Sequence, residues 1–220
     1  MDGYPPLCWS EDGKVKGIFI DLTTEILSKR MGIKVRHETY PWARAQAFVK
    51  SGESDALVTL PTDDRRGYTN ISSRSVLTTN YTLFVNSGSK VYAELSKVRK
   101  IADLAPFQIV QILGSGWAKN NLKGLNVNWV STAEQSFKML ALNRADLYVT
   151  NSLVGNWEIE KLNLVGAVTE LPEANLRKMQ YHFMIRKTSK YAHMITEIDE
   201  MIESVYKDGT AQEIIIKHTL

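Results

Sequence analysis

The chain has 220 residues, 44% hydrophobic and 23% charged, the proportions of an ordinary globular protein rather than of a disordered, collagen-like or coiled-coil chain. Lysine plus arginine exceeds aspartate plus glutamate by 27 − 24 = +3, too little and too scattered for nucleic acid. No apolar run approaches the ~18 residues of a membrane span, and one cysteine, Cys8, excludes an internal disulfide and a cysteine-built zinc site.

Short apolar strands alternate with amphipathic helices. Ile18, Phe19 and Ile20 run into a helix expected from Asp21 to about Arg30, with Gly32 as its stop. Ile33, Val35 and His37 alternate with polar residues, as in a strand. Pro41 opens a second helix, which ends at Ser51-Gly52, and a strand follows from Asp55 to Leu60. Residues 61–75 are polar and read as turns. Tyr81 to Val85 is a strand, and Asn86-Ser87-Gly88-Ser89 reads as a linker.

The pattern then restarts. Strands are expected at Ile109–Leu113, Val127–Val130 and Asp146–Val149, with helices at Trp117–Leu122, Ala133–Asn143 and about Ser152–Lys161. A short strand is expected at Leu164, and a long one from Met179 to Ile185 leads to a second polar break at Arg186–Ser189. Two helices close the chain: Tyr191–Lys207, and another starting at Thr210. Strand–helix–strand order with short turns predicts an α/β fold. The stretch Val49–Thr59 is echoed by Leu142–Thr150: a helix end, a tight turn, an Asp at the strand start and a Thr at its far end. Two similar lobes joined twice predict a ligand cleft between them.

Catalytic signatures are missing. His37, His182, His193 and His218 lie in no metal or nucleophile motif, GxSxG and the P-loop are absent, and Cys8 has no neighbouring base in sequence. Asp63-Asp64 reads as a solvated turn pair, so no metal is expected. Gly114-Ser115-Gly116 is either an ordinary strand-to-helix turn or an anion cradle at a helix N-terminus. Arg65 is either a surface cation or a bidentate grip for a carboxylate. Trp42 and Tyr4 either pack in the core or stack on a ligand. Arg44 reads either as a salt-bridging helix residue or as a ligand contact.

Taken together, these features resemble the bacterial extracellular solute-binding proteins of family 3. Tyr4-Pro5-Pro6-Leu7 resembles that family's opening YPPF, and Gly17–Leu22 its GFDVDL. Ser51–Asp55 resembles sGkvD, Thr62-Asp63-Asp64-Arg65 resembles TpeR, Asn143–Asp146 resembles GraDa, and Lys207–Thr210 resembles kdGt. Pro41-Trp42-Ala43-Arg44 is similar to a subgroup with W-x-R at this point.

The resemblance implies a periplasmic-binding-protein-like type II fold: two α/β lobes joined by two hinge strands. Lobe 1 would be residues 1–85 plus 184–220, and lobe 2 residues 86–183. It implies that Arg65 holds a ligand carboxylate, assisted near Thr59 and Leu60, and that Ser115 and Gly116 close on the same group. Trp42 and Tyr4 would wall the side-chain pocket. The family's amino-group ligand is an Asp; Asn151 stands at that position, and Leu60 replaces a small hydroxyl residue. An Asn cannot neutralise an ammonium, so the ligand is expected to be a small carboxylate, or an amino acid held differently.

Binding by hinge closure, without catalysis or cofactor, is the expected activity. The partners are then a small-molecule ligand and the membrane subunits of an ABC importer, with the chain monomeric and periplasmic or extracellular. The alternative is the sensing domain of a receptor such as a histidine kinase, joined to that receptor's own membrane segments. An enzyme on this scaffold is a third class, without an acid–base pair to support it. No secretion leader is read at the N-terminus, so the opening is expected to be that of a trimmed or mature chain.

Overall fold

The computed structural model describes residues 3–219. Contacts divide the chain into unit 1, residues 1–78 with 179–220, and unit 2, residues 79–178.

Unit 1 opens with a small antiparallel sheet, β1 (Gly3–Tyr4), β2 (Cys8–Glu11) and β3 (Lys14–Lys16). Helix α1 (Ile18–Thr23) continues as a wider π-type turn over Thr24–Arg30 and buries Ile18, Leu22, Ile26 and Leu27. Residues 31–40 alternate between half-buried and exposed, as the sequence suggested, yet no strand forms there. Alternation orders side chains, but a strand also needs a partner for its backbone. Here the Ile33 amide donates to Leu27, closing the preceding helical segment, and His37 Nε2 pairs with Thr24 Oγ1 at 2.9 Å.

Helix α2 (Trp42–Ser51) starts after Pro41, whose missing N–H costs nothing there, and stops at Gly52, which adopts the left-handed φ of 99°. Strand β4 (Ala56–Thr59) follows, then α3 (Asp63–Tyr68) and the 18-residue β5 (Thr69–Asn86). Residues 61–75, expected as turns, are therefore mostly helix and strand. Their polar groups are taken up by specific partners. The Asp199 carboxylate accepts from the Ser73 and Arg74 amides at 2.9 Å each, and Ser72 Oγ accepts from the Phe183 amide at 3.0 Å.

Unit 2 holds the rest of β5, then α4 (Tyr92–Leu95), β6 (Ile109–Ile112), α5 (Gly116–Asn121), β7 (Val127–Val130), α6 (Ala133–Ala141), β8 (Leu147–Asn151), α7 (Ser152–Lys161) and β9 (Val168–Leu171). Its strands run in the order β5–β8–β6–β7, with β9 beside β5. β6 is parallel to both β7 and β8, while β5 is antiparallel to β8 and β9. Period-two alternation splits the strand residues between two cores. Leu83, Val85, Ile109, Leu147 and Val149 pack in one, and Phe84, Val110 and Tyr148 in the other. β10 (Arg177–Arg186) returns to unit 1 and pairs antiparallel with β4, Thr59 opposite His182. After a short 3₁₀ turn, α8 (Ile195–Lys207) and α9 (Thr210–Lys217) complete unit 1.

The chain passes between units inside β5 and β10. The polar stretch Asn86–Ser89, read as a linker, is a turn within unit 2: Asn86 Nδ2 donates to the carbonyls of Leu140 and Ala141, and its Oδ1 accepts from Gly88. Arg186–Ser189 is likewise a turn of unit 1, tied to Asp55 by Ser189 Oγ at 2.6 Å.

Candidate functional site

The turn after β4 brings three candidate residues together, Arg65, Leu60 and Trp42. Thr62 caps α3 by accepting from the Arg65 amide, which fixes Arg65 in the first helical turn. Its guanidinium then folds back over the strand end. Nη1 donates to the Leu60 carbonyl at 2.7 Å, and Nε and Nη2 donate to Gln46 Oε1 at 3.1 and 3.0 Å. Trp42 covers the cation at 5.0 Å from its ring centroid and is itself 47% exposed. Trp42 is thus a stacking residue, not a core residue. Among the described residues, three of the five guanidinium N–H groups find an acceptor. The guanidinium is thus held in place by groups of its own unit.

Gln46 was missed in the sequence. Its signal was the four-residue spacing from Trp42, which puts both on one face of α2. Thr59 is buried beside Leu60 at the end of β4. Tyr4 lies on the separate small sheet, paired with Cys8, and is 38% exposed. Arg44 forms no salt bridge among the described residues. It lies instead over the rings of Tyr40 and Phe48, at 5.5 and 4.9 Å. Asp63 and Asp64 sit exposed in the first turn of α3, where their charge favours the helix N-terminus. Burial pushes the Tyr68 phenol above its ordinary pKa, against the opposing charge of Arg65.

In unit 2, Ser115 caps α5: its hydroxyl accepts from the Ala118 amide at 3.3 Å and keeps its own O–H to donate. Gly116 is the exposed first residue of that helix. Trp117 follows, its ring 4.8 Å from that of Tyr81, and its buried indole N–H has no acceptor among the described residues. The sequence reading did not single out this donor.

Asn151 is fully buried and caps α7, its Oδ1 accepting from the Leu153 and Val154 amides at 3.0 and 3.4 Å. Its Nδ2 donates to Thr79 Oγ1 at 2.6 Å. This residue therefore has a structural task, whatever it does for a ligand.

The echo between the halves of the sequence is visible in the structure. Gly52 and Asn143 both adopt positive φ, at 99° and 50°. The Asp55 carboxylate accepts from Ser189 at 2.6 Å, and that of Asp146 from the Gln108 amide at 2.7 Å. Each Asp ties the start of its strand to a neighbouring segment.

Comparison with known proteins supplies the lineage. The family model of the bacterial extracellular solute-binding proteins, family 3, matches residues 1–220. The probable amino-acid-binding protein YxeM of Bacillus subtilis (strain 168) is 21% identical over 222 residues, covering 97% of this chain and 79% of that protein. Among solved structures, an ancestral cationic amino acid solute binding protein superposes with a TM-score of 0.74 at 21% identity, covering 100% of this chain and 93% of the other. A histidine kinase sensor domain similar to periplasmic binding proteins gives a TM-score of 0.71 at 18% identity, covering 99% and 92%. The fold is that of the periplasmic binding proteins, and the family's work is binding, not catalysis. With its whole length matched and its motifs in order, this chain belongs to the bacterial extracellular solute-binding proteins, family 3.

Proposed function

We propose that the protein binds a small carboxylate-bearing solute, an amino acid or an analogue, outside the cytoplasm and delivers it to an ABC importer. The observation that carries this reading is Arg65. Its guanidinium is stacked on Trp42 and fixed by Leu60 and Gln46. A cation held in this way supports the reading of Arg65 as a carboxylate grip. Trp42 and Tyr4 wall the ligand's side chain, and Thr59 and Leu60 assist at the strand end. Ser115 and Gly116 offer a hydroxyl and helix N-terminal amides to the same carboxylate, with the two lobes closing on it. Asn151 replaces a carboxylate partner for the ammonium with a neutral amide, which shifts preference away from ordinary α-amino acids. The names of the relatives favour an amino acid or a close analogue.

Isothermal titration with whichever acid binds tests the grip. Arg65→Ala is expected to cost about 2–5 kcal/mol of affinity, as for loss of one partner of a charged pair. Arg65→Lys should recover part of it, because an ammonium keeps the charge and loses the fork. Affinity within threefold of wild type in Arg65→Ala would remove Arg65 from the site.

A second reading is the sensing domain of a membrane receptor, favoured by the kinase sensor domain among the structural relatives. Ligand-dependent autophosphorylation of the full gene product would select it. Ligand uptake with separate membrane subunits would select import.

A further inference from the structure

The sheet of unit 2 ends on an open edge. Among the described residues β7 pairs with β6 and with no other strand. The carbonyls of Asn126 and Val130 accept from Ile109 and Leu113, at 2.9 and 2.8 Å, so the backbone of residues 126, 128 and 130 faces β6. Backbone groups alternate along a strand, so the N–H and C=O of Val127 and Trp129 face outward.

A pocket of about 230 Å³ adjoins this edge, lined by Ala118, Lys119, Leu122, Lys123, Val127 and Trp129 among others. Ala118 and Leu122 are buried, and Trp129 is 41% exposed. The volume falls below the ~300–1,000 Å³ of ordinary small-molecule sites and suits a single side chain. Two lysines, Lys119 and Lys123, stand in the pocket's lining. Between Asp103 and Glu134 the chain carries Lys119 and Lys123 and no acidic residue. Neither lysine has an ion-pair partner among the described residues.

We propose that the β7 edge receives an extended acidic peptide segment of a partner protein. The segment adds a strand beside Val127 and Trp129, seats one apolar side chain in the pocket and sets carboxylates against Lys119 and Lys123. A second copy of this chain is disfavoured as occupant. Edge-to-edge pairing would bring each copy's lysines against the other's, the arrangement by which natural sheets discourage self-association.

The probe is an acetylated, amidated octapeptide of alternating glutamate and valine, compared with its lysine–valine counterpart by amide NMR and hydrogen exchange. The expected result is that the acidic peptide shifts and protects the Val127 and Trp129 amides, and the basic peptide does not. The Lys119→Glu/Lys123→Glu double variant should bind the acidic peptide at least tenfold more weakly and prefer the basic one. Val127→Pro, which removes an outward N–H while sparing the ladder to β6, should also weaken binding, with its melting temperature reporting that the unit is intact. Three results overturn the proposal: no perturbation at β7 with millimolar acidic peptide, equal binding of both peptides, or self-association through this edge.

Discussion

Arg65 gives three N–H groups to Leu60 and Gln46 and one face to Trp42, so the side chain that would meet a ligand is already immobilised by its own unit. The sequence showed Arg65 through its place after a strand and a TDDR turn, and Trp42 through its place at a helix start. It did not show that the two stack on each other. Asn151 is a different case. It stood out as a departure from the family's Asp, but the structure gives it the α7 cap. That cap was legible, since Asn before a helical pattern is a strong start signal. Chemical denaturation should find Asn151→Ala about 1–2 kcal/mol less stable, in the range for lost caps. Asn151→Asp keeps the acceptor and should lose less; equal losses would show that capping is not the reason. Glu158 is half-buried, its Oε2 without a hydrogen bond among the described residues and 3.9 Å from Lys161. Burial raises its pKa, against the pull of Lys161. A carboxyl raised in the folded state destabilises it above the unfolded value of about 4.3. Glu158→Gln should therefore raise the urea midpoint at pH 7, with the advantage vanishing as pH falls below that value.

At the level of elements, Gly155 explains a helix that propensity alone would improve. It sits inside α7 against the ring of Phe84, and an added Cβ would overlap Phe84 Cζ and Cε2. Gly155→Ala should thus destabilise by about 1–3 kcal/mol, the cost of overpacking, despite alanine's better helix propensity. A more stable variant would mean that Phe84 moves aside freely. Charged contacts join the end of α9 to α1. Asp21 accepts from Lys217 and His218 at 2.8 and 2.9 Å. Burial pushes the Asp21 carboxyl up, but hydrogen bonds to Lys217 and His218 outweigh it and leave the pKa below its ordinary value. A depressed acid stabilises above its unfolded pKa, about 3.9, and the stability is lost as pH falls through the folded value. Acid should therefore weaken wild type more than Asp21→Asn, measured as urea midpoints at pH 6 and pH 3. Helices with clear stops, such as α2 with Gly52, were readable from the sequence. The alternating segment 33–37 was not, because a strand depends on a neighbour that no local pattern names.

For the molecule as a whole, the alternation of strands and helices, the echoed Asp-started strands and the ordered family motifs carried the fold class. The places where the chain changes units were harder to read. They fall inside β5 and β10, between residues 78 and 79 and between 178 and 179, whereas composition pointed to polar turns at 86–89 and 186–189. Polar residues mark where a chain turns, and continuous strands cross between units without turning. The central claim is that the protein binds a carboxylate-bearing solute through Arg65, and a thermal-shift screen tests it most directly. Wild type and Arg65→Ala, refolded to strip co-purified ligand, are compared with amino acids, their keto- and hydroxy-acid analogues, polyamines and short carboxylates. A ligand at 100 times its Kd adds about 2.7 kcal/mol. At this size that raises Tm by roughly 5–11 °C. The account predicts such a rise with one class of acid in wild type and its loss in Arg65→Ala; a rise with polyamines alone, or one that survives in Arg65→Ala, would contradict it.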